Sequence, residues 1–144
     1  MTSQVERAKE IAHRAHAGQF DKAGLPYIEH VSRVAAAVSD DPDAETVAWL
    51  HDVIEDAKGY ETEISNSFEN HILVALGRVT RWPWMKGAAE LKAYYARIKS
   101  NPLALRVKLA DISDNSDEER LNRLDEKVAS RLRKKYSKAL KELS

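Results

Sequence analysis

An all-α fold is what this sequence predicts, and three observations predict it. Apolar residues return at spacings of three and four along most of the chain, the period of a helix with one buried face. Helix-start devices recur at Ser3, at Asp41-Pro42 and at Asn101-Pro102. In each, a short polar side chain can accept from the first free amides, and in the last two a proline suits the first turn. Alternating β-branched runs and Asn-Gly hairpin signals are missing.

The elements follow in order. Ser3 caps a helix running to about Ala17, with Val5, Ala8, Ile11, Ala12 and Ala15 inward. Gly18 ends it, and a loop extends to Leu25. Pro26 suits a helical first turn, and Ile28 to Val38 carries the next apolar stripe. Asp41-Pro42 starts a central helix that continues past Ile54 until Lys58-Gly59 closes it. Thr62 caps a short helix to Phe68, and another covers Glu69 to about Val79. The segment from Arg81 to Gly87 is an irregular connection in which Trp82, Trp84 and Met85 plug a gap between helices. Helices from Ala88 to Ile98 and from Leu103 to about Asn115 follow. The last runs from about Asp117 to Leu143, with Leu121, Leu124, Val128, Leu132, Tyr136 and Leu140 as its buried stripe. No repeat or linker divides the chain, so residues 1–144 read as one compact helical domain.

Composition narrows the function. The 144 residues include 43% apolar and 32% charged side chains, ordinary for a globular domain. Lysine plus arginine (23) balances aspartate plus glutamate (23), so no global field draws the chain to nucleic acid or to an anionic membrane. The basic face of the last helix reads as a solvated face. The absence of cysteine excludes disulfides, thiolate metal sites and cysteine nucleophiles. No apolar run approaches a membrane span, and the N-terminus has no signal-peptide core. A cytoplasmic location is the expectation.

The stretch from Ala48 to Asp56 carries the chemistry. On a helical wheel Val47, Leu50, Val53, Ile54 and Trp49 cover most of the circumference, and His51, Glu55, Asp52 and Asp56 fill the rest. A helix apolar over most of its surface is buried, so its polar sector faces an interior cleft. Three carboxylates and an imidazole cannot be buried unpaired, and a bound cation resolves the conflict. His51 and Asp52 are the first candidate ligands. His30 faces inward with Val34 and Val38, and Asp111 lies in the apolar run Val107-Lys-Leu-Ala-Asp. Two imidazoles and two carboxylates make a mixed nitrogen–oxygen site that suits manganese, iron or zinc, and magnesium less well.

Three motifs carry a family resemblance. Ala15-His-Ala-Gly-Gln-Phe-Asp-Lys-Ala-Gly-Leu-Pro-Tyr-Ile-Glu-His resembles the pattern Ala-His-x-Gly-Gln-x-Arg-Lys-x-Gly-x-Pro-Tyr-Ile-x-His. Leu50-His-Asp-Val-Ile-Glu-Asp is similar to Leu-His-Asp-x-x-Glu-Asp, and Val107-Lys-Leu-Ala-Asp-Ile-Ser-Asp-Asn to Lys-Leu-Ala-Asp-x-x-x-Asn. These patterns belong to HD-domain metal-dependent phosphohydrolases, closest to the hydrolase domain of RelA/SpoT-type (p)ppGpp alarmone enzymes. The resemblance implies a single HD-domain helical bundle. With no room for a synthetase or regulatory domain, it also implies a stand-alone small alarmone hydrolase.

The resemblance assigns roles. His30, His51, Asp52 and Asp111 would hold one metal, manganese in this family. Glu55 and Asp56 would position or deprotonate the attacking water. Lys108 and Asn115 share a helical face with Asp111 and would contact the nucleotide, and Lys22 would meet substrate phosphates. The implied reaction removes the 3′-pyrophosphate from (p)ppGpp. Alternatives are another nucleotide, such as an adenosine alarmone or a mononucleotide, and a non-catalytic nucleotide-binding HD module. Intact Glu55 and Asp56 speak against the last.

Two departures bear on substrate recognition. Asp21 stands where the family has arginine, and a carboxylate there repels a phosphate-rich ligand or implies a different one. Ile112, Ser113 and Asp114 replace the family's Arg-Leu-His. His13, His16 and His71 read as structural, with His16 at the border of the cleft. Lys22 is either a substrate contact or a solvated loop lysine.

Overall fold

The central helix is buried because it offers the solvent so little polar surface. In α3 (Pro42–Leu50), Ala44, Thr46, Val47, Ala48, Trp49 and Leu50 are all buried. Around it pack α1 (Gln4–Ala15), α2 (Tyr27–Ala37), α6 (Asn70–Val79) and α8 (Pro102–Asn115). The remaining helices are α4 (Val53–Asp56), α5 (Glu61–Ser67), α7 (Ala88–Lys99), α9 (Glu118–Leu121) and α10 (Glu126–Leu143). A computed structural model describes residues 2–144. Among them no strand forms; an isolated bridge between Phe20 and Pro26 closes the loop after α1. None of these helices is long and apolar enough to cross a membrane.

The helix starts follow the capping chemistry. Ser3 accepts from the Glu6 amide, Asp41 from Asp43 and Asn101 from Ala104. The exception is α5, which begins after Tyr60 with no side-chain cap, so Thr62 lies inside it. The inward residues expected of α1 are placed as expected: Ala8, Ile11, Ala12 and Ala15 are buried and Val5 packs against the core.

Three expectations are corrected. The central helix is not continuous through Ile54. It ends at Leu50, turns at His51 and Asp52, and resumes as α4. The Ala48 carbonyl, which would accept from the Asp52 amide in a regular helix, is taken by His51 Nδ1 at 2.6 Å. A side chain that competes for a backbone partner breaks the ladder. The last helix is likewise split between Leu121 and Glu126, because Asp125 turns its carboxylate onto the Lys127 amide and caps a new start. Leu140 is exposed, and Ala139 and Leu143 are buried in its place. Within the connection from Arg81 to Gly87 only Met85 plugs the core; Trp84 is 67% exposed and Trp82 39%.

Packing of α10 against α7 and α8 leaves a cleft of about 510 Å³. One wall holds Asp52, Glu55, Asp56, Lys108 and Asp111; the other holds Leu121, Leu124, Leu132, Lys135 and Tyr136.

Candidate metal centre

The turn at residues 51–52 aims two neighbouring side chains at one point. His51 Nε2 lies 3.0 Å from Asp52 Oδ2 and 3.2 Å from Asp111 Oδ1. From α2, His30 Nε2 lies 3.0 Å from Asp111 Oδ1 and 3.8 Å from Asp52 Oδ2. One ligand atom from each of these four residues falls within 4.8 Å of every other. All are buried except Asp52, which is half-buried.

Hydrogen bonding fixes both imidazoles. A carbonyl oxygen only accepts, so His51 Nδ1 carries a proton toward Ala48. His30 Nδ1 donates to Asp114 across 2.5 Å. Each ring therefore turns Nε2 toward carboxylate oxygens, where it needs a proton or shares a cation. This is the tautomer and orientation of a metal-ligating histidine with an outer-shell partner. Burial alone disfavours imidazolium, but the Asp52 and Asp111 carboxylates overcome it and raise His51 well above its usual range. Burial also opposes charge on the two carboxylates. His51 nevertheless brings Asp52 down to about 2, and Lys108 and His51 hold Asp111 well below the ordinary value. With a cation taking the place of the Nε2 protons, the donor set is two imidazole nitrogens and two ionised carboxylates around one centre, and it fits a divalent transition-metal ion.

The surrounding groups hold this centre. The Tyr27 hydroxyl donates to Asp52 Oδ2 at 2.5 Å. Asp111 accepts from Lys108 at 3.2 Å and from Asn115 at 3.0 Å. Lys108 and Asn115 thus line the cleft while also bonding a carboxylate of the centre. Gln19 receives His16 Nδ1 on its amide oxygen and donates to the Asp56 carbonyl at 2.9 Å, tying α1 to the end of α4.

Glu55 and Asp56 stand on the cleft wall beside the centre. Both side chains reach solvent, unlike the buried sector expected from the sequence. Partial desolvation in the cleft, then the nearby Asp52 charge, pushes Glu55 up to about 7 and Asp56 to about 6. Both are therefore poised to exchange a proton near neutral pH. Lys22 also lines the cleft.

Asp21 lines the cleft, and its carboxylate is already engaged. One oxygen accepts the Ala23 and Leu25 amides at 2.9 Å each, and the other pairs with Arg120 at 3.2 Å. Its charge is spent on its own loop and on a guanidinium. His13 bonds Lys9, and His71 pairs with Asp43 at the surface, as structural residues do. His16 is buried against Tyr27, itself a cleft-lining residue.

Comparison with known proteins agrees with the motifs. Over 116 residues the chain is 31% identical to the GTP pyrophosphokinase of Streptomyces coelicolor, covering 75% of this chain and 14% of that protein. It is 31% identical over 115 residues to the guanosine-3′,5′-bis(diphosphate) 3′-pyrophosphohydrolase of Haemophilus influenzae, covering 73% of this chain and 17% of that protein. The chain is related to the RelA/SpoT-type alarmone enzymes. A protein of the same name from Borreliella burgdorferi shares 38% identity over 80 residues, 54% of this chain and 12% of the relative. The chain thus spans only a small part of these relatives' length. No protein-family model matches it. The structure of a metazoan ortholog of SpoT, described as hydrolysing ppGpp, superposes with a TM-score of 0.82 at 20% identity, covering 99% of this chain and 86% of that one. The fold is the all-α HD hydrolase fold of that neighbour.

Sequence reasoning missed Tyr27, Asp114 and Arg120 as hydrogen-bonding partners of the candidate centre and its loop. Tyr27 was findable, since it sits three residues before His30 and shares its helical face. Arg120 carried no signal, because it reaches Asp21 from 99 positions away.

Proposed function

We propose that this chain is a metal-dependent phosphohydrolase that removes the 3′-pyrophosphate from (p)ppGpp, with residues 1–144 as one HD-type domain acting in the cytoplasm. The observation that carries the proposal is the convergence of His30, His51, Asp52 and Asp111, with Asp52 and Asp111 reaching the cleft wall that Glu55 and Asp56 also line. The curated relatives named as 3′-pyrophosphohydrolases support the same reading.

His30, His51, Asp52 and Asp111 would hold the ion, proposed as Mn²⁺. When bound, such an ion supplies Lewis acidity toward a phosphoryl oxygen and makes hydroxide accessible near neutral pH. In the reaction a water oxygen bonds the 3′-linked phosphorus. The bond from that phosphorus to the ribose oxygen breaks, pyrophosphate leaves, and the ribose oxygen takes up a proton. Glu55 and Asp56 manage these protons, and their raised proton affinities suit both uptake and release at pH 6–7. Lys22, Lys108 and Asn115 orient the nucleotide and its phosphates. Lys108 and Asn115 do so while holding Asp111 in place.

The test is a nucleotide panel. Purified protein with Mn²⁺ is given ppGpp, its adenosine counterpart and simple mononucleotides, and pyrophosphate release is measured. Rapid release from ppGpp, lost in Asp52→Ala and Asp111→Ala, supports the proposal. Tight ppGpp binding without release, or full activity in both variants, refutes it.

A further inference from the structure

One guanidinium outside every motif joins the metal arm to the loop that carries Lys22. Arg120 extends from α9, its side chain 21% exposed. Its Nη1 donates to Asp114 Oδ2 at 2.6 Å, and its Nη2 donates to Asp21 Oδ2 at 3.2 Å. Both carboxylates are withdrawn from solvent, with side-chain exposures of 13% and 8%.

Each carboxylate has a second task. Asp114 receives the His30 Nδ1 proton at 2.5 Å and is flanked by Arg33, whose Nε donates at 2.7 Å. It therefore sets the plane in which His30 presents Nε2. Asp21 accepts the Ala23 and Leu25 amides, and its own amide donates to the Leu25 carbonyl at 2.8 Å. It therefore sets the turn on which Lys22 stands.

We propose that Arg120 is a positioning residue that holds His30, through Asp114, and the Lys22 loop, through Asp21, in one fixed relation. Neither contact touches the reacting atoms. The fork shape is essential, since one planar guanidinium spans two carboxylates that a lysine ammonium cannot both reach with the same geometry. The proposal rests on the metal site of the preceding section and adds the coupling between that site and the loop.

The two arms can be read separately and without turnover. Mn²⁺ affinity is measured by calorimetry, and exchange protection of the Ala23 and Leu25 amides by hydrogen exchange. Arg120→Met weakens Mn²⁺ about ten-fold, the scale of an outer-shell loss, and also accelerates exchange of the two loop amides. Asp114→Asn weakens Mn²⁺ and leaves the loop amides protected. Asp21→Ala exposes the loop amides and leaves Mn²⁺ affinity within about two-fold, since it lies one contact further from His30. Arg120→Lys keeps the charge and fails to restore both readouts together. Unchanged Mn²⁺ affinity and loop protection in Arg120→Met would overturn the proposal, as would full recovery of both in Arg120→Lys. Absence of Mn²⁺ binding by the wild type would instead overturn the metal site itself.

Discussion

The Glu55 carboxylate accepts the backbone N–H of Arg81 at 2.8 Å, which fixes a cleft-wall acid against the connection before α7. That bond favours the ionised form, yet burial and the Asp52 charge outweigh it and raise Glu55 from 4.5 to about 7. The sign follows from linkage: a carboxyl with a raised folded-state value costs the fold stability above pH 7, and the cost disappears below pH 4.5, where both states are protonated. Glu55→Gln keeps an acceptor for Arg81 and removes the charge. In chelator, it should melt higher than wild type at pH 8, by less than about 1 kcal/mol because solvent reaches the side chain. The two curves should converge by pH 4.5. The same variant should lose roughly a hundred-fold or more in turnover, as expected for a lost proton-transfer group. A melting difference independent of pH would contradict this account.

Mn²⁺ should stabilise the protein by mass action, because the ligand set exists only in the folded chain. At an ion concentration about 100-fold above the dissociation constant the gain is about 2.7 kcal/mol. Melting with Mn²⁺ against melting with chelator measures it. Asp111→Asn should remove the shift and also lower the chelated melting point, because Asp111 is the shared partner of His30, His51, Lys108 and Asn115. A full Mn²⁺ shift in this variant would place the ion elsewhere.

Tyr27 tests the support of the centre from the other side. Its hydroxyl aims Asp52 Oδ2, and no other hydrogen-bond partner of that hydroxyl is seen among the described residues. Tyr27→Phe keeps the ring between His16 and His30 and removes only that bond. Mn²⁺ affinity should fall about ten-fold. The chelated protein should change by no more than about 1 kcal/mol, the net worth of one hydrogen bond. A large stability loss with unchanged ion affinity would make Tyr27 a core residue rather than a support.

What was legible in the sequence was what local chemistry dictates. Asp41-Pro42 and Asn101-Pro102 marked helix starts because capping acts within three residues, and the structure places both caps as expected. The burial of α3 followed from an apolar circumference. The turn at His51 was not legible, because it depends on His51 Nδ1 winning the Ala48 carbonyl. Helical periodicity cannot register such a competition, yet it is what lets adjacent residues share a centre. The exposure of Trp82 and Trp84 was misjudged for a related reason, since hydrophobicity alone does not say which of three neighbours the core admits. The neutralising partner of Asp21 was not legible because it lies on α9, at a sequence distance that no local pattern spans.

Asp21 also supplies the sharpest prediction about stability. Arginine at this position matches the related motif, so resemblance alone would expect Asp21→Arg to be harmless or helpful. The contacts give the opposite sign. The change removes the acceptor for the Ala23 and Leu25 amides and sets a second guanidinium against Arg120 in a largely buried position. Removing one partner of a buried ion pair costs roughly 3–5 kcal/mol, and a like charge adds to that cost. Solvent reaches Arg120 in part, so the lower end, about 3 kcal/mol, is expected. Urea denaturation of the chelated protein would read it as a lower midpoint with unchanged slope. Asp21→Asn, which keeps an acceptor oxygen for the turn and loses only the charge, should cost about 1–2 kcal/mol. Equal midpoints for Asp21→Arg and wild type would mean that the pair with Arg120 contributes nothing to the fold.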